Sequence, residues 1–352
     1  MSEAADMRAW RVHEWGMPTK VLKLETVAKP APGPGELLVR NLAIPLNLND
    51  MERVTGGNMM VTPELPLIPG MEVMGVVDAH GDGAEAWARK RVVAMPKAAT
   101  GGFAEYSVCP VVSAFEMPED IALPGAAALY FPFHLAYLGL IDRAGLQAGE
   151  SVLIHAAAGG AGSAAVQVAK HLGARVFATV GSPEKRALCE ELGADVVIDY
   201  TTEDFAEIVM RETGDRGVDV VFDNVGAAVL EASVRVIAYG GRYLMMGFAS
   251  DKTRADEPLI VPRMLSTGNF HLCGVLLAYA PEPVIPMMKK GMGWNFCPDA
   301  LGARITEEVI AWVREGAVRP VVGKTIAFED IPSELEAMFE RKRLGRTVAL
   351  LA

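Results

Sequence analysis

"VLIHAAAGGAGSAAVQVAK", residues 152–170, is the stretch that decides the fold of this chain. An apolar run enters a turn of small residues and continues into an amphipathic helical pattern. Glycine permits a tight reversal, and a helix N-terminus offers N–H groups to an anion, so the turn predicts contact with a pyrophosphate. Its spacing is A-x-x-G-x-x-G, which leaves a tight turn without a ligand as the alternative. The expected dinucleotide contacts in the turn are Ala158, Gly159, Gly160, Ala161 and Gly162.

Short apolar runs recur after this stretch, and helical patterns separate most of them. The series consists of "SVLIHAA", "ARVFATV", "ADVVIDY", "VDVVFDNV", "GRYLMMG" and "FHLCGVLL". Strands that alternate with helices predict a parallel sheet that is covered on both faces. The region therefore belongs to the α/β class, and the glycine turn at its head favours a doubly wound, dinucleotide-binding sheet.

The chain before residue 120 has a different pattern. Its β-rich runs "ELLVRNLAI", "EVMGVVDA" and "RVVAMP" are separated by Pro and Gly turns, which predicts a compact, mostly-β domain. After residue 290, a helical "TEEVIAWVREG" and the strand-like "KTIAF" and "RTVALL" predict a return to that domain. Because 352 residues exceed what one hydrophobic core usually serves, we expect two domains.

Composition narrows the class of partner and the compartment. A net charge of -11 argues against an extended nucleic-acid surface and favours a small-molecule partner. The four cysteines have no C-x-x-C spacing, so neither a structural zinc lobe nor a disulfide framework is predicted. We expect no signal peptide, no membrane span and a reduced, cytoplasmic setting.

The stretch "ATVGSPEK", residues 178–185, indicates which dinucleotide is bound. An NAD site usually has an acidic residue at the end of the second strand, where it holds the ribose hydroxyls. Here Ser182 offers a hydroxyl and Lys185 offers a cation, which suit the 2′-phosphate of NADPH. Alternatively, Ser182 and Pro183 only cap the next helix, and Lys185 is a solvated charge.

Nearly the whole chain, from Met7 onward, resembles a known superfamily. The matching stretches are "PGMEVMGVV", "GGFAEY", "DRAGLQAGESVLIHAAAGGAGSAAVQVAK", "ATVGSPEK", "LGADVVIDY" and "GVDVVFDNVG". They are similar to the medium-chain dehydrogenase/reductase superfamily, and within it to the zinc-free quinone oxidoreductase (zeta-crystallin-like) branch. The resemblance implies a GroES-like catalytic domain over 1–127 and 286–352, a Rossmann NADPH-binding domain over 128–285, and an active site in a cleft.

The resemblance also implies individual site residues. The branch's asparagine near the nicotinamide falls on Asn47, with Asp50 three positions on, and Tyr200 matches an aromatic residue beside the adenosine phosphate. Each has a simpler interpretation, since Asn47 can cap a turn and Tyr200 can merely end a strand. The other implied cofactor contacts are Asn224, Gly247, Phe248, which matches a backbone contact to the nicotinamide amide, and Arg341, which matches a basic residue at the 2′-phosphate or is a solvated charge.

Two departures from the branch leave the proton donor open. Many members have Tyr where Glu52 stands and Thr where Leu135 stands. His134 is the nearest titratable side chain in the sequence, and an imidazole can donate a proton near neutral pH. The candidate catalytic residues are therefore Asn47, Asp50 and His134, although a lone histidine in an apolar run is more often a core residue.

Met71 stands where zinc-dependent members of the superfamily have a histidine ligand. Those members also place a cysteine near Asn47 and a further thiolate near Phe131, and none of these three residues is a good zinc ligand. Reduction of a quinone or enone spreads charge over a conjugated system, so positioning and hydrogen-bond donors suffice without a metal. The sequence therefore predicts a metal-free site.

These observations together predict an NADPH-dependent reductase of quinones or other α,β-unsaturated carbonyl compounds, in which the cofactor carries the hydride. An enoyl or acryloyl thioester reductase is one alternative, and a nucleotide-binding redox sensor with little turnover is another. The apolar run "NFHLCGVLL" predicts a homodimer, because an exposed apolar edge strand is a liability unless it is paired or covered.

Overall fold

The computed structural model describes residues 6–57, 63–246, 262–340 and 343–351. Contacts within the chain define two compact units. Unit 1 comprises residues 1–130, 278–306 and 322–352, and unit 2 comprises residues 131–277 and 307–321. The boundaries predicted from the sequence lie at 127/128 and 285/286, and residues 307–321 were predicted to belong to the first domain.

Strands and helices alternate in the order that the apolar runs predicted. The strands are β1 (Asp6–Val12), β2 (Leu22–Ala28), β3 (Glu36–Pro45), β4 (Val73–His80), β5 (Arg91–Ala94), β6 (Tyr106–Pro110), β7 (Ala114–Glu116), β8 (Ser151–Ile154), β9 (Arg175–Val180), β10 (Val196–Asp199), β11 (Val218–Asp223), β12 (Ile237–Met245), β13 (His271–Gly274), β14 (Tyr279–Ala280), β15 (Cys297–Pro298), β16 (Val322–Ala327) and β17 (Arg346–Leu350). The helices are α1 (Pro18–Val21), α2 (Leu48–Thr55), α3 (Tyr130–Tyr137), α4 (Gly160–His171), α5 (Pro183–Glu191), α6 (Phe205–Glu212), α7 (Ala227–Arg235), α8 (Pro262–Gly268), α9 (Ile285–Met292), α10 (Asp299–Arg314) and α11 (Ile331–Ala337). None of the helices that the structure describes has the length and apolar character needed to cross a membrane.

Unit 1 is built on a seven-stranded sheet in the order β16-β17-β3-β4-β5-β7, with β6 paired to β3. All of its pairings are antiparallel except that of β16 with β17. Strands β3 and β4 come close enough that a Cβ atom on Gly75 would lie 2.1 Å from the Arg40 carbonyl oxygen, so this position requires glycine. The mostly-β domain that the first 120 residues predicted is confirmed.

Unit 2 contains a six-stranded parallel sheet in the order β10-β9-β8-β11-β12-β13. The chain order reverses between β8 and β11, which is the point where doubly wound sheets bind dinucleotides. Strands β8 and β11 are buried at every position, as expected for strands with helices on both faces. The predicted α/β class and parallel sheet are confirmed, with each of the six apolar runs forming a strand.

Candidate nucleotide and active site

The glycine turn joins β8 to α4 at the carboxyl edge of the sheet. Gly159 is the N-cap of α4, and no side chain in the described part of the chain caps this helix end. A Cβ atom on Gly162 would lie 2.2 Å from the Ala156 carbonyl oxygen, so a larger residue does not fit there. An uncapped helix N-terminus presents N–H groups and a positive dipole end, which suit a phosphate. The predicted contact residues 158–162 therefore lie at the edge where parallel sheets bind ligands.

Ser182 and Tyr200 lie at the ends of the next two strands. Ser182 is the N-cap of α5, where its Oγ accepts a hydrogen bond from the Lys185 N–H at 3.4 Å. Tyr200 directly follows β10 and is 49% exposed. A Cβ atom on Gly181 would lie 2.5 Å from the Tyr200 Oη, so the phenol lies over this glycine. The fold thus brings Tyr200 beside Ser182, and Ser182 has the capping role that was its simpler interpretation.

Asn224 directly follows β11, the strand that pairs with β8. Its Nδ2 is buried, and no residue in the described part of the chain accepts a hydrogen bond from it. The preceding Asp223 holds the backbone, because its Oδ1 accepts hydrogen bonds from Val225 N at 2.7 Å and Gly226 N at 2.9 Å. A buried amide donor left unpaired costs about 1–3 kcal/mol, so this donor calls for an explanation, which a bound ligand would provide.

Buried polar side chains also form hydrogen bonds between elements of unit 2. The Tyr243 hydroxyl donates to Asp223 Oδ2 at 2.7 Å. His155 Nε2 lies 2.8 Å from Ser233 Oγ, and His155 Nδ1 lies 3.0 Å from Thr179 Oγ1. Because Ser233 donates its hydrogen to a carbonyl of α7, it accepts from His155, which places the imidazole proton on Nε2. Burial lowers the pKa of His155 to about 3, so the imidazole is neutral at pH 7.

In unit 1, Asn47 and Asp50 belong to a buried polar cluster at the N-terminus of α2. The Asn47 N–H donates to Asp50 Oδ2 at 2.8 Å, and the Met71 N–H donates to Asp50 Oδ1 at 3.0 Å. Asn47 Nδ2 and Arg346 Nη2 donate to the same Glu72 Oε2, at 3.2 Å and 2.6 Å. The cluster therefore places both predicted residues in one hydrogen-bond network centred on a buried ion pair.

The carboxyl group of Asp50 is completely buried, and this burial raises its pKa to about 6. This rise in the pKa is partly offset by the charges of Arg53 and Arg346 and by the two backbone N–H donors, each of which lowers it. Two backbone hydrogen bonds make Asp50 the acceptor that holds α2 and the segment at Met71 together. Its contribution to chemistry stays a prediction.

The burial of His134 argues against a role as proton donor at pH 7. The side chain is 1% exposed within α3, and burial lowers its pKa to about 3. An imidazole with so low a pKa carries no extra proton at pH 7 and is a poor general acid there. The apolar run around His134 is a buried helix, and the part of this histidine in the chemistry stays a prediction.

Three further predicted cofactor residues, Gly247, Phe248 and Arg341, lie outside the described residues. Within the described ranges, no group of three or more His, Cys, Asp or Glu side chains is arranged to hold a metal ion. The side chain of Met71 is 4% exposed. Whether the chain works without a metal stays a prediction.

Three buried polar residues, Arg346, His155 and Tyr243, were not among the residues predicted from the sequence. Each is a polar or ionisable residue in an otherwise apolar strand stretch, namely "RTVALL", "SVLIHAA" and "GRYLMMG". Such residues are seldom fully buried unless they have partners. That signal marks them as members of buried networks, although it does not identify their partners.

Two protein families match most of the chain. The family described as "Alcohol dehydrogenase GroES-like domain" matches residues 33–119, and the family described as "Zinc-binding dehydrogenase" matches residues 160–290. The quinone oxidoreductase of Sus scrofa is 31% identical over 348 residues, which are 98% of this chain and 98% of the relative.

Solved structures show the same likeness over the full length. A mycobacterial protein complexed with NADPH has a TM-score of 0.85 and 31% identity, covering 98% of this chain and 100% of that one. The JamJ enoyl reductase has a TM-score of 0.82 and 26% identity, covering 99% of this chain and 100% of that one.

Proposed function

We propose, since the chain belongs to the medium-chain dehydrogenase/reductase superfamily and to its quinone oxidoreductase-like branch, that it reduces quinones or other α,β-unsaturated carbonyl compounds with NADPH. The names of its relatives support the reaction, and the NADPH complex of a structural neighbour supports the cofactor. When bound, NADPH supplies the hydride, and the protein's task is to bind and orient it.

The observation that carries the proposal is the uncapped glycine turn at the N-terminus of α4. Gly162 lets the helix pack against the Ala156 carbonyl oxygen, which any side chain would prevent, and the first turn of the helix keeps its N–H groups for a phosphate. Ser182 and Tyr200 at the neighbouring strand ends, together with Lys185, suit the adenosine half and its 2′-phosphate. In unit 1, Asn47 stays our proposed nicotinamide contact on the strength of the resemblance, and Asp50 supports it.

The preference for NADPH rests on Lys185. We expect Lys185→Ala to weaken NADPH binding by about 1–3 kcal/mol, the range for a charge-assisted hydrogen bond, and to leave NADH binding unchanged. Isothermal titration with both cofactors measures this. Lys170→Ala is the matched control, because Lys170 lies at the far end of α4 in an ion pair with Asp195. Equal losses for the two cofactors would show that Lys185 does not contact the 2′-phosphate.

We also propose that the reaction needs no metal. The donor set supports this, because Asn47, Met71 and Phe131 stand where the superfamily's zinc enzymes have their ligands, and none is a good zinc ligand. Elemental analysis of the purified protein should find substoichiometric zinc, and a chelator should leave NADPH oxidation unchanged. Stoichiometric zinc, with activity lost on its removal and regained on its return, would contradict the proposal.

An enoyl or acryloyl thioester reductase is the second candidate, favoured by the likeness to the JamJ enoyl reductase over 99% of this chain. The test is NADPH oxidation with 1,4-benzoquinone, 9,10-phenanthrenequinone, a crotonyl thioester and buffer alone. Faster oxidation with the two quinones supports our proposal, and faster oxidation with the thioester supports the alternative. Tight NADPH binding without oxidation in any arm identifies a nucleotide-binding sensor instead.

We further propose a homodimer formed through β13. This strand is the last in its sheet, pairs with β12, and leaves Leu272 41% exposed. Pairing of two such edges about a two-fold axis would bury them and continue the sheet. Light scattering should give twice the chain mass at micromolar concentration, and a monomer would contradict the proposal.

A reduced, cytoplasmic setting completes the proposal. The four cysteines, all within the described residues, form no disulfide. Two of them, Cys109 and Cys189, are buried, and burial raises the pKa of each thiol, which makes them poorly reactive. Cysteines that form no disulfide are typical of proteins in a reducing compartment.

A further inference from the structure

We propose that the β13 strands of two copies of this chain together form a zinc site, in which His271 and Cys273 of each copy are the four ligands. The inference rests on the proposed homodimer and goes beyond it, because it assigns a structural metal ion to the shared edge of the two sheets. This ion is not the zinc of the superfamily's zinc enzymes, whose ligand positions hold Asn47, Met71 and Phe131 here.

His271 and Cys273 lie two positions apart on β13, which spans His271–Gly274. Successive side chains of a strand point to opposite faces, so these two share one face and Leu272 lies on the other. His271 is exposed, and Cys273 is half-buried and forms no disulfide. Imidazole and thiolate are preferred zinc ligands, and one β13 strand supplies only two of the four that a structural site needs. A complete site at this strand therefore requires a second copy.

Leu272 determines how two such strands pair. β13 is the last strand of its sheet, and Leu272 is 41% exposed. When two equal edges pair antiparallel about a two-fold axis, one residue lies opposite its own equivalent. Placing Leu272 opposite Leu272 of the partner subunit buries the two apolar side chains against each other. In that register His271 lies opposite Cys273 of the partner subunit, and all four ligands lie on one face.

The four Cβ atoms of the ligands then form a rectangle. Opposite residues of an antiparallel pair have Cβ atoms about 4.5–5.5 Å apart, and residues two positions apart on one strand are separated by about 6.6–6.8 Å. Each Cβ atom therefore lies about 4 Å from the centre of the rectangle. Zinc binds a cysteine sulfur at about 2.3 Å and an imidazole nitrogen at about 2.0–2.1 Å, so the four side chains reach one ion above the face. Four protein ligands leave no open position, which makes the ion structural and not catalytic.

The charges around this face are compatible with a bound cation. Arg242 of β12 is paired in register with His271 and lies on the same face. Its guanidinium is held by Glu150, whose two carboxylate oxygens accept hydrogen bonds from it at 2.9 Å and 2.6 Å, and this ion pair offsets the charge of Arg242. On binding, each Cys273 thiol releases one proton to water, and the two thiolates balance the charge of Zn²⁺. The bound ion therefore adds no net charge to the interface.

The first test measures zinc binding to the full chain. Isothermal titration of metal-free protein with Zn²⁺ should give about one ion per two chains, because each chain supplies half of the ligands. Cys273→Ser and His271→Asn should each weaken binding more than about tenfold, since each removes two of the four ligands. Cys297→Ser is the matched control and should bind zinc as the wild type does, because Cys297 is also half-buried and free but lies in unit 1. Unchanged NADPH affinity checks that each variant folds.

The second test links the ion to the dimer. Leu272→Asp keeps both ligands but places a charge where the two edges pair, so it should give a monomer that has lost the zinc site. In the wild type, zinc that binds only the dimer should tighten association about a hundredfold when free zinc is about one hundred times its Kd. Sedimentation equilibrium in EDTA and in buffered zinc measures this change. About half an ion per chain also agrees with the substoichiometric zinc expected for a reaction that needs no metal.

A wild-type dimer that binds no zinc, or that binds it equally well after Cys273→Ser or His271→Asn, overturns the zinc site. Full zinc affinity in monomeric Leu272→Asp overturns the sharing of the site between two copies, and so does a wild-type dimer that is equally tight in EDTA. A wild type that is monomeric with and without zinc overturns the proposed homodimer itself. NADPH binding is measured separately in each case, so failure of the zinc site, of the dimer and of the cofactor site are distinguishable.

Discussion

The polar centres of the two units bury ionisable groups in different ways. In unit 1, Glu72 is buried in an ion pair with Arg346, which donates to it at 2.6 Å, and the two side chains are 0% and 5% exposed. In unit 2, His155 is buried without an opposite charge and gives up its proton, with a pKa near 3. The stability contributed by a buried ion pair depends on the presence of both partners. The stability contributed by a buried neutral imidazole depends on pH, because acid protonates the ring. Unit 1 should therefore be sensitive to substitution, and unit 2 to acid.

The largest expected effect comes from breaking the pair in unit 1. Arg346→Met leaves Glu72 buried without its cation, and we expect the free energy of unfolding to fall by about 3–5 kcal/mol. The double variant Glu72→Leu/Arg346→Met should be clearly more stable than the single variant, because no unpaired charge remains. Urea unfolding with hydrogen exchange resolves the effect on unit 1.

The control for this experiment is the same substitution in an exposed ion pair. Arg235 and Glu231 pair at 3.1 Å with side chains 69% and 82% exposed, so Arg235→Met should cost less than about 1 kcal/mol. If the buried single and double variants are equally destabilised, the charge of Glu72 is not what Arg346 compensates.

The next largest effect is the acid sensitivity of unit 2. The folded pKa of His155 and of His134 is about 3, against an ordinary value of 6.5, so the unfolded state binds more protons between these values. The stability that the neutral histidines contribute is therefore fully present above pH 6.5 and is lost as the pH falls. Between pH 7 and pH 5, the protonation of each histidine in the unfolded state should lower the free energy of unfolding by about 2 kcal/mol.

His155→Asn tests this assignment, because an amide can still hydrogen-bond to Thr179 and Ser233 but does not titrate. Whatever its stability at pH 7, the variant should lose about 2 kcal/mol less than the wild type between pH 7 and pH 5. Hydrogen exchange of β8 and β11 measures the change. An unaltered pH dependence would mean that His155 is not the titrating group.

The smallest expected effect has the opposite sign and belongs to unit 1. The pKa of Asp50 is raised from 3.8 to about 6, so the folded state binds more protons in that window. Its contribution to stability should therefore rise by about 1 kcal/mol as the pH falls from 7 to 5. Asp50→Asn should abolish this rise even though it weakens the cap of α2. A variant with the wild-type pH dependence would contradict the raised pKa.

The fold was predictable because its signals are local. The six apolar runs of unit 2 form β8 to β13, since strands buried on both faces read as continuous apolar segments. The glycine turn was predictable for a similar reason. The carbonyl oxygen that excludes a side chain at Gly162 belongs to Ala156, only six residues earlier. The requirement for glycine therefore depends on one short stretch of the sequence.

The candidate site was predictable only in part. Ser182 was predicted from the missing acidic residue after the second strand and Tyr200 from the resemblance, and the fold brings them together because the ends of parallel strands meet at one edge of a sheet. The surroundings of His134 were not predictable, because an apolar run around a histidine does not tell whether the ring faces a pocket or the core. The exposure that decides its pKa comes from residues packed around α3, which the local sequence does not specify.

By itself, the sequence determined the α/β class and the glycine turn, because strand periodicity and turn chemistry depend on neighbouring residues, and its resemblance to known stretches indicated the superfamily. Only the tertiary structure decided which ionisable side chains are paired and which are neutral. Glu72 and Arg346 are 274 positions apart, and Asp223 and Tyr243 meet across two adjacent strands. Desolvation and Coulomb attraction act through space, so the charge state of a buried group follows from contacts that exist only after the chain has folded.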